Sequence, residues 1–328
     1  MTRRTAAQWG SGYVHVTGSP AAPADVQQQG SPAPPAPPAP AVEVLIPSCG
    51  RPAELAVTLA GLAAQDDPDF GVIVSDQSPD RPDWEHPAAQ AMVRVLRAQG
   101  RPVRLERHLP RRGLAEHRQY LLDVSQGRQV LFLDNDVWLE PGALESMCNA
   151  LDTLQCGFVG MAVQGLSYLG DDRPQERSSF QPWNGPVTPE RMRRDAPGFE
   201  RWRLHNAANP THLAATLEPG AEPWTAYRIA WLGGCVLFDR AALLRSGGFD
   251  FWPRLPPEHC GEDVAAQWRV MEQSGGAGIL PSGAVHLESP TTVTERRVEA
   301  YDVVFPPPDP PLPDGNRTLK TLSKPGER

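Results

Sequence analysis

Lysine is nearly missing from this chain: Lys320 and Lys324, close to the end, are its only two positions. Arginine carries the remaining positive charge, and Asp plus Glu outnumber Lys plus Arg by 39 to 31, for a net charge of −8. A surplus of that sign argues against phosphate-backbone binding as the main activity, so nucleic acid is not an expected partner and any basic function is local. Cysteine is scarce as well. Cys49, Cys148, Cys156, Cys235 and Cys260 are odd in number and scattered, with no C-x-x-C pair. Neither a zinc site nor a disulfide framework is indicated, and reduced thiols in a cytoplasm are the simpler expectation. No apolar run approaches a membrane span, and MTRRTAAQWG is not followed by the apolar core of a signal peptide. Peripheral membrane attachment stays open.

Proline, in contrast, is abundant at 37 residues, and it clusters at the ends. Residues 1–41 close with SPAPPAPPAPA, and 306–328 open with a PPPDPPLP tract. Such composition buries too little apolar surface to offset ordering entropy, so both ends are expected to be disordered tails. Between them 40% hydrophobic content over the whole chain supports a globular core. Val42–Ile46 reads as a strand ended by Pro47, followed by a turn and a helix from Pro52 through about Gln65 with Leu55, Leu59 and Leu62 on one face. Gly71–Ser75 is a second strand ending at Asp76, and residues 77–90 are turn-rich. A short helix over Met92–Ala98, a strand over Val103–Glu106 and a helix opened by Gly113 follow. The alternation of strand and helix implies a mostly parallel sheet flanked by helices, of the nucleotide-binding type.

The stretch Gln129–Val137, QVLFLDNDV, organises the rest. Val130–Leu133 is a short continuous apolar run, as expected of a strand buried on both faces. It ends in Asp134–Asn135–Asp136, whose two carboxylates would point the same way off an extended chain. The carboxyl edge of an open α/β sheet is where ligands bind, and hard oxygen ligands there suit Mg²⁺ or Mn²⁺ on a diphosphate. The plainer alternative is a solvated strand exit. Downstream lie a helix from Pro141, a strand over Phe158–Val163, and a weakly patterned polar insert at 165–228, which at that length reads as a lid or binding loop. Its Trp183, Trp202 and Trp224 suit either stacking on a saccharide or packing the loop. Then come a strand over Ile229–Phe238 around Gly233–Gly234, a short helix over Ala241–Ser246, a helix over Glu262–Gln273, and a last strand over Gly278–Leu280 leading to His286.

Four blocks, in order, resemble the GT-A-fold glycosyltransferases of family 2, a group of inverting nucleotide-sugar enzymes. They are VEVLIPSCGRPAELAVTL, VIVSDQS, RGLAEHRQYLLDVSQGRQVLFLDNDV, and WLGGCVLFDRAALLRSGGFD followed by CGEDVAAQWRV. The likeness covers roughly residues 42–288 and implies a GT-A domain over 42–305, with a nucleotide-binding half at 42–137 and an acceptor-binding half at 138–305. Two departures stand out: Gln119 where the family usually has Asn, and Cys49–Gly50 where Asn or Tyr-Asn is common.

The resemblance implies roles residue by residue. Asp136 contacts the cation (Mn²⁺ or Mg²⁺), Asp134 the ribose or the metal, and Asn135 lies between them. Asp76 hydrogen-bonds the base, which favours a UDP-sugar donor; capping the turn at Gln77–Ser78–Pro79 is its structural alternative. Pro47, Ser48 and Arg51 wrap the nucleotide, with Arg51 on phosphate or merely solvated beside a helix start. Arg118, a cation on an apolar helix face, needs a partner, Asp76 or the diphosphate, with a purely structural ion pair as the alternative. Asp263 acts as the general base on the acceptor hydroxyl, with Glu262 orienting it, although acidic residues in a first turn also favour the helix dipole alone. His286 is a further metal or phosphate ligand, and Gly233 and Gly234 shape the sugar pocket. The expected activity is metal-dependent transfer of a sugar to a saccharide or other hydroxyl acceptor. The rivals are a catalytically degenerate member that binds nucleotide or glycan, and a D-x-D phosphatase. The phosphatase motif normally begins its domain and is followed by a Lys and paired-Asp block, which is missing here.

Overall fold

In the computed structural model, which describes residues 40–306 other than 219, 294 and 295, all seven residues of strand β1 (Val42–Ser48) are buried. Its side chains alternate between two apolar layers, so helices must cover both faces. β1 pairs in parallel with β2 (Phe70–Asp76) on one side and β4 (Gln129–Leu133) on the other, and β3 (Val103–Arg107) forms the edge beyond β2. Past β4 the direction changes. β8 (Cys235–Asp239) runs antiparallel to β4, β6 (Phe158–Gly160) antiparallel to β8, β9 (Gly276–Leu280) parallel to β6, and β7 (Thr225–Tyr227) antiparallel to β9. The sheet order is β3-β2-β1-β4-β8-β6-β9-β7, mostly parallel with β8 and β7 reversed. β5 (Val137–Leu139) and β10 (Ala284–His286) form a separate antiparallel pair beside the carboxyl end of β4.

Helices α1 (Pro52–Ala63), α2 (Pro87–Ala98) and α4 (Ala143–Leu154) cover one face, where Leu55, Leu59, Val93, Leu96, Leu144 and Met147 meet Val44, Ile46, Val72 and Leu131. On the other face, α3 (Leu114–Val124), α6 (Arg240–Arg245), α7 (Glu262–Ser274) and α8 (Ala300–Val304) pack Leu121, Leu243, Val264, Trp268 and Ala300 against Leu45, Ile73, Phe132 and Phe238. The mixed α/β architecture is the one expected. The sheet crosses residue 137, so β6, β8 and β9 extend the layer that β1–β4 begin. The proline-rich tails fall outside the described residues, apart from residues 40, 41 and 306.

Several boundaries move. Pro47 does not end β1: it pairs opposite Ser75, and Ser48 opposite Asp76, because a residue without an N–H is tolerated near a strand end. α2 starts at Pro87 inside the turn-rich segment, with His86 Nδ1 accepting from the Ala88 N–H. The strand expected over Ile229–Phe238 is extended only from Cys235, because Gly234 takes φ +74°. The strand expected over Phe158–Val163 stops at Gly160.

The insert carries α5 (Asn209–Ala214) and β7, and it buries Met192, Leu204, Leu213 and Tyr227 in the core. Its tryptophans all make contacts within the fold. The Arg228 guanidinium lies 3.7 Å over Trp183, Trp224 Nε1 donates to Asn149 Oδ1 at 2.9 Å, and Trp202 sits against the core.

Candidate active site

At the carboxyl ends of β1, β2 and β4, three polar loops meet. β4 stops at Leu133, and Asp134–Asn135–Asp136 form a turn that leads straight into β5. Three backbone bonds hold that turn: Asp134 N–H donates to Gly234 O at 2.9 Å, Val137 N–H to Asp134 O at 3.2 Å, and Leu287 N–H to Asp136 O at 2.9 Å. A turn breaks the two-residue alternation of a strand, and the two carboxylates take different partners.

Asp134 is 37% exposed at its side chain and accepts from Arg118 Nη2 at 2.8 Å. Asp136 is buried and pairs with Arg51 Nη1, while His286 Nε2 stands 3.6 Å from its Oδ2. Burial and the neighbouring Asp134 push the Asp136 carboxyl above the usual range, against the pull of His286 and Arg51.

Arg118 is the hinge between the two halves of the site. Its Nε donates to Glu262 Oε1 at 3.0 Å while Nη2 holds Asp134. Of the partners expected for it, Asp76 is not used: the Nε and Nη2 of Arg118 are taken by Glu262 and Asp134, and both oxygens of Asp76 by the backbone of its own turn. Burial alone would lower the guanidinium's pKa, but Asp134, Glu262 and Asp263 together hold it above the ordinary value.

Glu262 and Asp263 open α7 after Gly261, whose φ is +72°. Arg118 neutralises Glu262. Among the described residues the Asp263 carboxylate accepts only the Val264 N–H at 2.9 Å, and burial and then Glu262 push its carboxyl up to about 7, with Arg118 opposing. It lines a small cavity together with Arg118, Phe132, Gly234 and Gln267.

Gly234 must be glycine on two grounds. Its φ is +74°, and a Cβ there would lie 3.0 Å from Val163 Cγ1 and 3.3 Å from Val137 Cγ2. Its neighbour Leu232 is clamped by the fully buried Gln267, which accepts from Leu232 N–H at 2.8 Å and donates to Leu232 O at 2.6 Å. Gly233 is less constrained, because a Cβ there would make only an ordinary contact with Trp231.

Asp76 is fully buried. Its Oδ1 accepts Ser78 N–H at 2.7 Å and its Oδ2 accepts Asp83 N–H at 3.0 Å, so it caps its own turn. Burial raises its carboxyl and these hydrogen bonds lower it, the net shift being upward. A carboxylate has spare lone pairs, but a base could reach them only if the 77–83 segment moved. Ser48 Oγ accepts from Asn135 Nδ2 at 2.9 Å and donates to Asp83 Oδ2 at 2.6 Å. Asp83 and Gln267 carry no sequence signal: one lies in a stretch without periodicity, the other reads as the polar side of a helix.

Among the described residues no group of three or more His, Cys, Asp and Glu side chains forms a ready-made metal cage. The donors at the β4 exit nevertheless suit a hard cation that completes its shell with water and substrate oxygens, and a guanidinium already occupies the cationic place beside Asp136. His286 is turned otherwise. Its Nδ1 accepts from Glu288 N–H at 2.8 Å, which puts the neutral ring's proton on Nε2, facing Asp136. Ligation through Nε2 requires that bond to be given up.

A mostly parallel sheet, acidic and basic side chains at the β4 exit, and a carboxylate pair opening a nearby helix are the features expected of the GT-A fold. The family model described as glycosyl transferase family 2 matches residues 43–209, just over half of the chain, and the chain belongs to that family. An uncharacterized protein of Mycobacterium tuberculosis, MT1568, is 27% identical over 224 residues, which is 65% of this chain and 61% of that protein. The chain therefore spans less than two thirds of that relative's length. Among solved structures, residues 1–349 of S. aureus TarS in complex with UDP-GlcNAc give a TM-score of 0.45 at 16% identity, over 77% of this chain and 60% of that one. A mannosyltransferase of Pyrobaculum calidifontis in complex with GDP-Man and Mn²⁺ gives 0.46 at 18%, over 78% and 59%.

Proposed function

We propose that this glycosyltransferase inverts the anomeric centre of a nucleotide-sugar, with a UDP-sugar favoured, in a single displacement whose general base is Asp263. One observation carries the reading. Of the two adjacent carboxylates on α7, Glu262 is neutralised by Arg118, whereas Asp263 faces a cavity with its carboxyl pushed up to about 7. A base so placed takes a proton efficiently near neutral pH.

In the reaction an acceptor hydroxyl oxygen bonds the anomeric carbon and its proton passes to Asp263. The bond from that carbon to the diphosphate oxygen breaks on the opposite face, so configuration inverts. Arg118 holds Asp134 and Glu262 in fixed positions through the displacement. Asp136 and Asp134, with His286 after a shift, are the residues that would hold Mn²⁺ or Mg²⁺. When bound, the ion offsets charge on the departing diphosphate. Gly233 and Gly234 let the sugar approach the backbone closely. Pro47, Ser48 and Arg51 line the nucleotide side, and a contact between Asp76 and the base requires the 77–83 segment to open. The acceptor is a saccharide or another hydroxyl compound, and the cytoplasm is the proposed compartment. No helix among the described residues is long and apolar enough to cross a membrane.

The test is Asp263→Asn. Loss of sugar transfer with nucleoside diphosphate binding intact supports the assignment; unchanged turnover overturns it.

A further inference from the structure

Asp83 sits on a single turn of helix between β2 and α2, is 3% exposed, and accepts three hydrogen bonds, two of them from the β1 exit. Its Oδ2 accepts Ser48 Oγ–H at 2.6 Å and Arg51 N–H at 3.0 Å, its Oδ1 accepts Ser78 Oγ–H at 3.2 Å, and its own N–H donates to Asp76. Ser78 Oγ in turn accepts Gly50 N–H at 2.9 Å.

A carboxylate accepts and does not donate, so each hydroxyl beside it must spend its one proton on Asp83. Ser48 Oγ is then left only with lone pairs toward Asn135 and accepts from Asn135 Nδ2 at 2.9 Å. That choice fixes which way the Asn135 amide faces, with its oxygen turned away from Ser48. Asn135 lies between Asp134 and Asp136, and its amide joins their turn to the exit of β1 beside the Arg51–Asp136 pair. We infer that Asp83 is a positioning residue of the donor site: its carboxylate sets the direction of the Asn135–Ser48–Asp83 hydrogen-bond chain and so holds the Asp134–Asp136 turn in register with β1. The inference rests on the proposed reading of that turn as the donor site.

The experiment measures binding of UDP, GDP and dTDP, each with Mn²⁺, to the full chain by calorimetry. Asp83→Leu, which cannot accept, is expected to weaken the tightest of these on the order of tenfold or more, the usual cost of losing an outer partner of a ligand-holding group. Asp83→Asn keeps one accepting oxygen for Ser48 and restores most of the affinity. In the Asn135→Ala background, Asp83→Leu costs little further affinity, because the chain it directs is already broken. Binding by Asp83→Leu equal to the unsubstituted protein, or fully additive losses with Asn135→Ala, overturns the inference and leaves the donor site standing. If Asp83→Leu does not fold, Ser48→Ala removes the same link and decides: unchanged affinity refutes. An unsubstituted protein that binds none of the three nucleotides refutes the donor-site reading itself, and the inference with it.

Discussion

Adjacent carboxylates on α7 end with opposite electrostatic fates. Glu262 is tied to Arg118 at 3.0 Å, and Asp263, one residue on, is left with a single backbone donor and a carboxyl raised to about 7 by burial first and Glu262 second. The raised value has two consequences of definite sign. In the proposed mechanism the base must be ionised, so the rate should climb as pH rises through about 7, which initial rates across the pH range will show. Stability runs the other way. A folded-state pKa above the unfolded one gives a contribution that is complete below the unfolded value and is lost as pH rises through the folded value. Asp263→Asn should therefore melt higher than the unsubstituted protein at pH above about 7, with the gap closing as pH falls below it, even as it abolishes transfer.

Arg118 shows the converse case. Its removal, as in Arg118→Met, leaves Asp134, Glu262 and Asp263 facing one another without their shared cation. Breaking a buried pair from one side costs about 3–5 kcal/mol. Urea unfolding should show a loss of that order, partly recovered at low pH where the carboxylates protonate. The need of Arg118 for a partner could be inferred from its place on an apolar helix face. Which acids serve could not, because Glu262 is 144 residues away in the chain.

At the scale of elements, the site depends on strands ending early. β4 turns at Asp134, and β8 starts only after Gly234, so the two interruptions face each other and share the bond from Asp134 N–H to Gly234 O. In the sequence, Ile229–Phe238 reads as one apolar strand. What breaks it is the left-handed turn at Gly234 and the Gln267 clamp on Leu232 from α7, both of them tertiary. Gly234→Ala would place a Cβ 3.0 Å from Val163 in a conformation that disfavours side chains. A loss of roughly 1–2 kcal/mol is expected from the backbone alone. Transfer should fall by more than the melting shift explains, because the Asp134 turn moves with it; paired melting and rate measurements check this. The short strands β5, β7 and β10, each three residues long, left no periodicity to read.

For the molecule as a whole, one eight-stranded sheet among the described residues joins β1–β4 with β6–β9, and ligand binding at the β4 exit should register as global stability. With a nucleoside diphosphate and Mn²⁺ at about one hundred times the dissociation constant, stabilisation of roughly 2.7 kcal/mol is expected. A thermal melt should show that shift with UDP and lose it on adding a chelator. A shift with another nucleotide instead would keep the donor site and displace the role given to Asp76.

Local patterning was enough for the strand–helix alternation, the buried apolar strands and the acidic pair at the β4 exit, because side-chain period and chain-end chemistry are properties of neighbouring residues. Pro52 at a helix start and the run Val130–Leu133 into Asp134 were legible for that reason. The partner of each charge was settled only by packing. Arg118 meets Asp134 and Glu262, Arg51 meets Asp136, and Asp83 gathers Ser48, Ser78 and Arg51 because distant loops converge at one sheet edge. A hydrogen bond is decided within a few tenths of an ångström, and no spacing along the chain encodes so short a distance between segments that only folding brings together.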